Sequence, residues 1–165
     1  MKKFLLLFVF AFTFITACSS DETTTYYLIR HAEKDRTDKT NKNPDLNKVG
    51  QERAIKWANR FKNVPFDAIY STNYNRTIQT ATPTAESKSL EIIKYNPSKM
   101  YDSIFQQETK GKTVLVVGHS NTTPAFVNKI LAVEKYKDID DNNNANLYIV
   151  TISGDEKTSV VETVE

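Results

Sequence analysis

Two short apolar runs, each ending in one of the chain's two histidines, constrain the fold more than any other feature. Tyr26-Tyr27-Leu28-Ile29 runs straight into Arg30-His31, and Val114-Leu115-Val116-Val117 runs through Gly118 into His119. Apolar runs of this length without polar alternation read as strands covered on both faces, the pattern of a parallel sheet under helices. Such strands place arginine and histidine only at their carboxyl ends. That is the edge where open α/β sheets bind their ligands.

The segments around these runs support the same architecture. Asn47 can cap a helix in which Ala54, Trp57, Ala58 and Phe61 fall at i, i+3, i+4 and i+7, one apolar stripe. Phe66 to Ser71 reads as a second strand. Asn75 to Ser87 reads as a helix with Ile78, Ala81, Thr82 and Ala85 on one face, and Pro83 inside it predicts a kink or a shortened end. Leu90 to Tyr95 is a third strand. Ser98 to Gln107 is a short helix with Met100, Tyr101 and Ile104 inward. Asn121 caps a last helix that carries Phe126, Val127, Ile130 and Leu131. Asn146 to Ser153 and Thr158 to Val164 flank a Gly154-Asp155 turn and predict a terminal hairpin. The polar stretches Asp35 to Asp45 and Asp138 to Asn144 read as loops, the first at the mouth of the site. Strands alternating with helices give α/β class, a three-layer α/β/α sandwich with a mostly parallel sheet.

Composition excludes several classes. The chain has 165 residues, 39% hydrophobic and 25% charged, which suits one folded domain rather than a disordered segment. With Lys2 and Lys3 set aside, basic and acidic residues balance at 20 each. No basic run or basic-aromatic stripe is present, so nucleic acid is not an expected partner. Lys2-Lys3 followed by the apolar stretch Phe4 to Ile15 reads as an export signal, too short for comfortable membrane spanning. Ile15-Thr16-Ala17-Cys18 resembles the lipobox of bacterial lipoproteins. That resemblance implies a signal peptide over residues 1–17, acylation of Cys18 and a short tether over 18–24. The folded domain then occupies residues 25–165, in the cell envelope, lipid-anchored to a bacterial membrane and facing the periplasm or the surface.

The strand ends converge. Arg30 and His31 close the first strand, Ser71 closes the second, Arg76 opens the next helix, and His119, Ser120 and Asn121 span the last strand-to-helix turn. Two imidazoles, two guanidiniums and a helix N-terminus make a site for a tetrahedral anion, with arginine supplying a planar fork of donors. Ser71, Ser120 and Asn121 are candidate substrate-binding residues.

Leu28-Ile29-Arg30-His31 resembles the Arg-His-Gly signature of the histidine phosphatase superfamily (phosphoglycerate mutase-like, branch 1), with Ala32 where glycine is usual. Three further pieces match in the family's order: Leu46 to Ala54 its "LTxxGxxQA" segment, Tyr70 to Ala81 its "SSxxxRAxQTA" segment, and Val117 to Ser120 its second-histidine motif. The resemblance runs from about Tyr26 to Leu131. It implies the phosphoglycerate mutase-like fold and a metal-independent, cofactor-free phosphatase. His31 would attack phosphorus to give a phosphohistidine, and Arg30, Arg76 and His119 would bind the phosphoryl oxygens. Substrates in view are phosphorylated small molecules, lipids or glycans, and phosphoproteins, phosphohistidine included. A mutase-like phosphotransferase and a non-catalytic phosphate- or phosphoglycan-binding lipoprotein are the alternatives. The family's usual acidic proton donor has no clear counterpart. Glu33 and Asp102 are the candidates, although Glu33 with Lys34 could equally be an ion pair on the rim.

Overall fold

The structure, a computed structural model, describes residues 22–164. The expected signal peptide, the expected tether up to Asp21, and Cys18 lie outside the described residues.

Six strands form one sheet. In chain order the elements are β1 (Thr24–Arg30), α1 (Lys48–Arg60), β2 (Ala68–Ser71), α2 (Asn75–Lys88), β3 (Ile92–Lys94), a 3₁₀ turn (Pro97–Lys99), α3 (Ser103–Thr109), β4 (Thr113–Gly118), α4 (Thr122–Leu131), β5 (Asn146–Ser153) and β6 (Glu156–Thr163). The strand order is β3-β2-β4-β1-β5-β6. The first four of these pair in parallel, and β5 and β6 close the other edge as an antiparallel hairpin. This is the expected α/β/α sandwich, with the apolar runs of β1 and β4 paired at its centre.

Side-chain alternation along the strands builds two cores. Ile29, Ile69, Leu115, Val117 and Leu147 face Trp57 of α1, Phe61 at its C-terminal cap, and Ala81 and Ala85 of α2. Leu28, Tyr70, Val114, Val116 and Tyr148 face Phe105 of α3 and Phe126, Val127 and Ile130 of α4. Each fully buried large side chain contributes roughly 1.5–3 kcal/mol relative to exposure. Among the described residues, no helix is long and apolar enough to cross a membrane.

Several expectations are corrected. α2 runs unbroken through Pro83, and its inward face is polar: Thr77, Thr80 and Thr84 are buried with Ala81 and Ala85, while Ile78 is only half-buried. Thr80 returns its hydroxyl to the Arg76 carbonyl at 2.7 Å and Thr77 donates to the carbonyls of Thr72 and Tyr74, so burial leaves those two hydroxyls satisfied, while Thr84 Oγ1 has no partner among the described residues. The expected helix from Ser98 divides into the 3₁₀ turn and α3, because Asp102 caps a new helix by accepting from the Phe105 N–H at 2.9 Å. That shift turns Phe105 inward and leaves Ile104 64% exposed. The third strand shortens to three residues.

Candidate active site

The parallel register sets the site. Arg30 lies level with Gly118, and the His31 N–H donates to the Gly118 carbonyl at 2.9 Å. The two histidines therefore leave the sheet on the same rung. Their rings meet edge to face with centroids 5.4 Å apart.

His31 is 4% exposed. Its Nδ1 lies 2.7 Å from the carbonyl of Ala32. A carbonyl only accepts, so Nδ1 carries the hydrogen and Nε2 of the neutral ring carries the lone pair. The backbone on either side is fastened: Asn144 Nδ2 donates to the His31 carbonyl at 2.8 Å, and the Ala32 N–H donates to Thr80 Oγ1 at 2.9 Å. The methyl of Ala32, where the family's glycine would stand, packs with Leu46 and Ala54. Burial pushes the His31 imidazole down to about 3, and Arg76, His119 and Arg30 add to that, against the Ala32 hydrogen bond. Burial followed by Arg76, Arg30 and Lys34 pushes His119 down to about 4. Both rings are neutral at pH 7.

Arg76, in the first turn of α2, places Nη2 3.4 Å from His119 Nδ1. Its guanidinium stacks over the Tyr74 ring, 4.5 Å from the centroid, and the same ring meets His119 edge-on at 5.1 Å. Arg76 Nε and Nη1 and Arg30 Nε are buried donors without a hydrogen-bond partner among the described residues. Buried guanidinium donors left over in this way are the groups an anion's oxygens would satisfy. The rest of Arg30 is committed to the loop before β5. Nη1 donates to the carbonyls of Asp140, Asp141 and Asn143, and Nη2 to Asp141 Oδ1 at 2.8 Å.

A cleft of about 540 Å³ opens beside His31, walled by Glu33 to Thr37 and Asn47 on one side and by Asp141, Asn142 and Asn144 on the other. The loop from Asp35 to Asp45 thus stands at the mouth, as its position in the chain suggested. It is pinned to α2 through Asp45, which accepts from Asn75 Nδ2 at 2.8 Å and from Gln79 Nε2 at 2.9 Å. Gly50 is required for this packing. A Cβ there would stand 2.1 Å from the Glu33 carbonyl oxygen, so α1 approaches the strand end only through a glycine.

The remaining candidates are placed as follows. Glu33 receives both carboxylate hydrogen bonds from Arg53 Nε, at 2.8 and 2.9 Å; its partner is Arg53, not Lys34, and its oxygens are committed as acceptors. Asp102 is the α3 cap and lies outside the residues that wall the cleft. Ser71 is fully buried and donates to the Thr72 carbonyl at 3.0 Å. Asn121 accepts from the Thr122 N–H, and the Thr123 N–H is taken by the His119 carbonyl, so α4 spends those amides internally. Ser120 accepts the Ile139 N–H through its carbonyl. The sequence reading missed Thr72, whose Oγ1 lies 2.9 Å from His119 Nε2. Its signal was present: it follows the strand-ending Ser71 and falls on the second serine of the matched motif. Among the described residues, no group of three His, Cys, Asp or Glu side chains could hold a metal ion.

Residues 26–96 match the family model of the histidine phosphatase superfamily, branch 1. Over these residues, from β1 past β3, the chain carries that superfamily's pattern. Solved structures agree on the fold. A protein histidine phosphatase SixA complexed with tungstate superposes with a TM-score of 0.66 at 14% identity, covering 84% of this chain and 96% of that one. A phosphoglycerate mutase from Bacillus anthracis gives 0.64 at 15%, covering 88% and 94%. A mycobacterial glucosyl-3-phosphoglycerate phosphatase gives 0.65 at 11%, covering 86% and 98%. No curated protein matches in sequence. The superfamily and fold support an enzyme of phosphatase or mutase type.

Proposed function

We propose that the chain is a metal-independent phosphatase that works through a phosphohistidine on His31. The observation that carries this is the Nδ1 hydrogen bond of His31 to the Ala32 carbonyl, which leaves Nε2 unprotonated beside buried arginine donors that have no partner among the described residues. In this reading Nε2 attacks phosphorus in line and the leaving group departs. Arg76, with the Nε of Arg30, holds the phosphoryl charge, and water then releases phosphate. His119 completes the site from the facing strand. The cations the reaction needs are side chains.

The carboxylates narrow the substrate. Glu33 is paired with Arg53, Asp141 with two arginines, Asp35 at the cleft wall accepts the Thr37 N–H at 2.8 Å, and Asp102 caps a helix. A leaving group that departs without a strong acid suits this site best. That favours phosphohistidine and activated esters over simple alkyl phosphates, in line with the SixA neighbour's named activity. The proposal includes export and acylation of Cys18, which would hold the domain at a bacterial membrane. Labelled palmitate should enter the wild type and not Cys18→Ser.

The decisive assay uses the full chain in detergent with p-nitrophenyl phosphate and with a phosphohistidine protein, beside His31→Ala. Turnover that falls at least a thousandfold in His31→Ala is expected. Phosphate binding without turnover of either substrate would overturn the enzyme reading, and phosphoryl transfer from a bisphosphate to a monophosphate would make the chain a mutase.

A further inference from the structure

We propose that Thr72 is a positioning residue: it holds His119 in the tautomer opposite to that of His31, so that Nδ1 of His119 accepts from Arg76 Nη2 and fixes that guanidinium at the site. This deepens the phosphatase reading and rests on it. The hydrogen bonds around His119 admit one arrangement. A guanidinium has no lone pair to offer, so Arg76 Nη2 can only donate to Nδ1, and Nδ1 must be bare. The hydrogen of the neutral ring is then on Nε2, 2.9 Å from Thr72 Oγ1. Thr72 can accept it because its own hydroxyl hydrogen has another destination, Thr77 Oγ1 at 3.0 Å. Thr77 in turn gives its hydrogen to the carbonyls of Thr72 at 2.8 Å and Tyr74 at 2.9 Å, which cannot return it. Every donor in this chain meets an acceptor, and reversing His119 would set two donors face to face at Arg76. Thr72 and Thr77 are fully buried, so water does not substitute for them.

His31 has the reverse assignment, with its hydrogen on Nδ1 and its lone pair on Nε2. Nε2 of His31 is thus the nitrogen left bare for phosphorus, while the lone pair on Nδ1 of His119 is taken up by Arg76. In the second half-reaction, water's oxygen bonds to phosphorus as the P–Nε2 bond breaks and the bonding pair returns to Nε2 of His31. Both water protons stay on the released phosphate, which leaves as dihydrogen phosphate and then loses a proton to solvent.

The chain has two histidines, so the test reads cleanly. Long-range ¹H–¹⁵N spectra of the imidazoles, recorded on the full chain in detergent at pH 7 and assigned with His31→Ala, should show two neutral rings of opposite tautomer. His119 carrying its proton on Nδ1, or on both nitrogens, would overturn the proposal whatever the activity. Thr72→Val should lower kcat on p-nitrophenyl phosphate roughly tenfold with KM within about twofold, and move the His119 nitrogen shifts toward a tautomer average. Thr72→Ser, which keeps the hydroxyl, should restore both. A Thr72→Val protein with unchanged shifts and unchanged kcat would remove Thr72 from the role. The wild-type spectrum decides the tautomers even if T72V fails to fold. Absence of turnover with the opposite tautomers in place would sink the phosphatase reading alone.

Discussion

The sheet edge and the cleft rim are held by different physics. At the sheet edge, His31, His119, Thr72 and Thr80 are fixed through backbone groups and buried hydroxyls, and His31 is 4% exposed. At the rim, Arg36 meets Asp141 across the cleft mouth at 2.9 Å with side chains 55% and 66% exposed. The first arrangement is preorganised, because few of its members can turn without leaving a buried polar group unpaired. The second exchanges readily with water and salt. In the proposed phosphatase, reacting groups on a rigid strand edge with walls on adjustable loops would let one chemistry accept different leaving groups.

The sharpest way to break this contrast is at Arg76. Arg76→Ala removes the main unpartnered phosphoryl donors and the donor that fixes His119, so kcat/KM should fall roughly a hundred- to a thousandfold with the fold intact. A loss below tenfold in steady-state kinetics would place phosphoryl binding elsewhere. Gly50→Ala tests the scaffold rather than the chemistry. The new methyl would drive α1 off the Glu33 carbonyl, and overpacking of that kind costs about 1–3 kcal/mol. A Tm drop on the order of 5 °C is expected by calorimetry. An unchanged Tm would mean that the Glu33 segment yields, and that the edge is less rigid than its hydrogen bonds imply.

The sequence made the edge legible and the rim much less so. The apolar runs of β1 and β4 could be read because burial on both faces leaves no polar alternation, and the two histidines marked their ends. Arg30, His31, Arg76 and His119 are brought together as the pattern implied. Ser71 and Thr72 could not be told apart by composition. Strand pleating sends the first into the core and leaves the second level with Gly118, where it reaches His119. Glu33 and Asp102 were legible as acids but not as partners, since an ion pair to Arg53 twenty residues away and a helix cap are set by tertiary placement and by where α3 starts. The threonine-lined face of α2 inverted the usual hydrophobicity rule at Thr77 and Thr80, whose hydroxyls bond to nearby carbonyls, and Thr80 Oγ1 also accepts from the Ala32 N–H.

Acid should separate the two regions again. Both imidazoles titrate lower in the folded chain, at about 3 and about 4, than at the ordinary value near 6.5, chiefly through burial. Between those values the unfolded chain binds more protons than the folded one, so stability rises with pH and is lost as pH falls from about 6.5 toward 4. Asp141, held down to about 2 by Arg36 and Arg30, acts in the same direction, its contribution present above about 4 and lost as pH falls toward 2. Thermal melts from pH 7 to pH 4 should therefore show a falling Tm. The fall should flatten in His31→Ala/His119→Ala, which removes the edge contribution and leaves the rim. A slope unchanged in that variant would assign the acid sensitivity to other groups.

Arg36→Ala should have the smallest effect, and its smallness is informative. The side chain is more than half exposed, and pairs of that kind are worth about 0–1 kcal/mol. Tm should move by no more than roughly 3 °C, and kcat on p-nitrophenyl phosphate should stay within about twofold. Asp141 keeps its 2.8 Å bond to Arg30 in this variant, so the carbonyls of Asp140, Asp141 and Asn143 still hold that guanidinium. Raising salt to about 0.5 M should reproduce the variant's behaviour in the wild type, because screening weakens the same exposed pair. If Arg36→Ala instead lowers kcat tenfold while high salt does nothing, Arg36 reaches the reacting phosphoryl group. The rim would then belong to the preorganised part of the site.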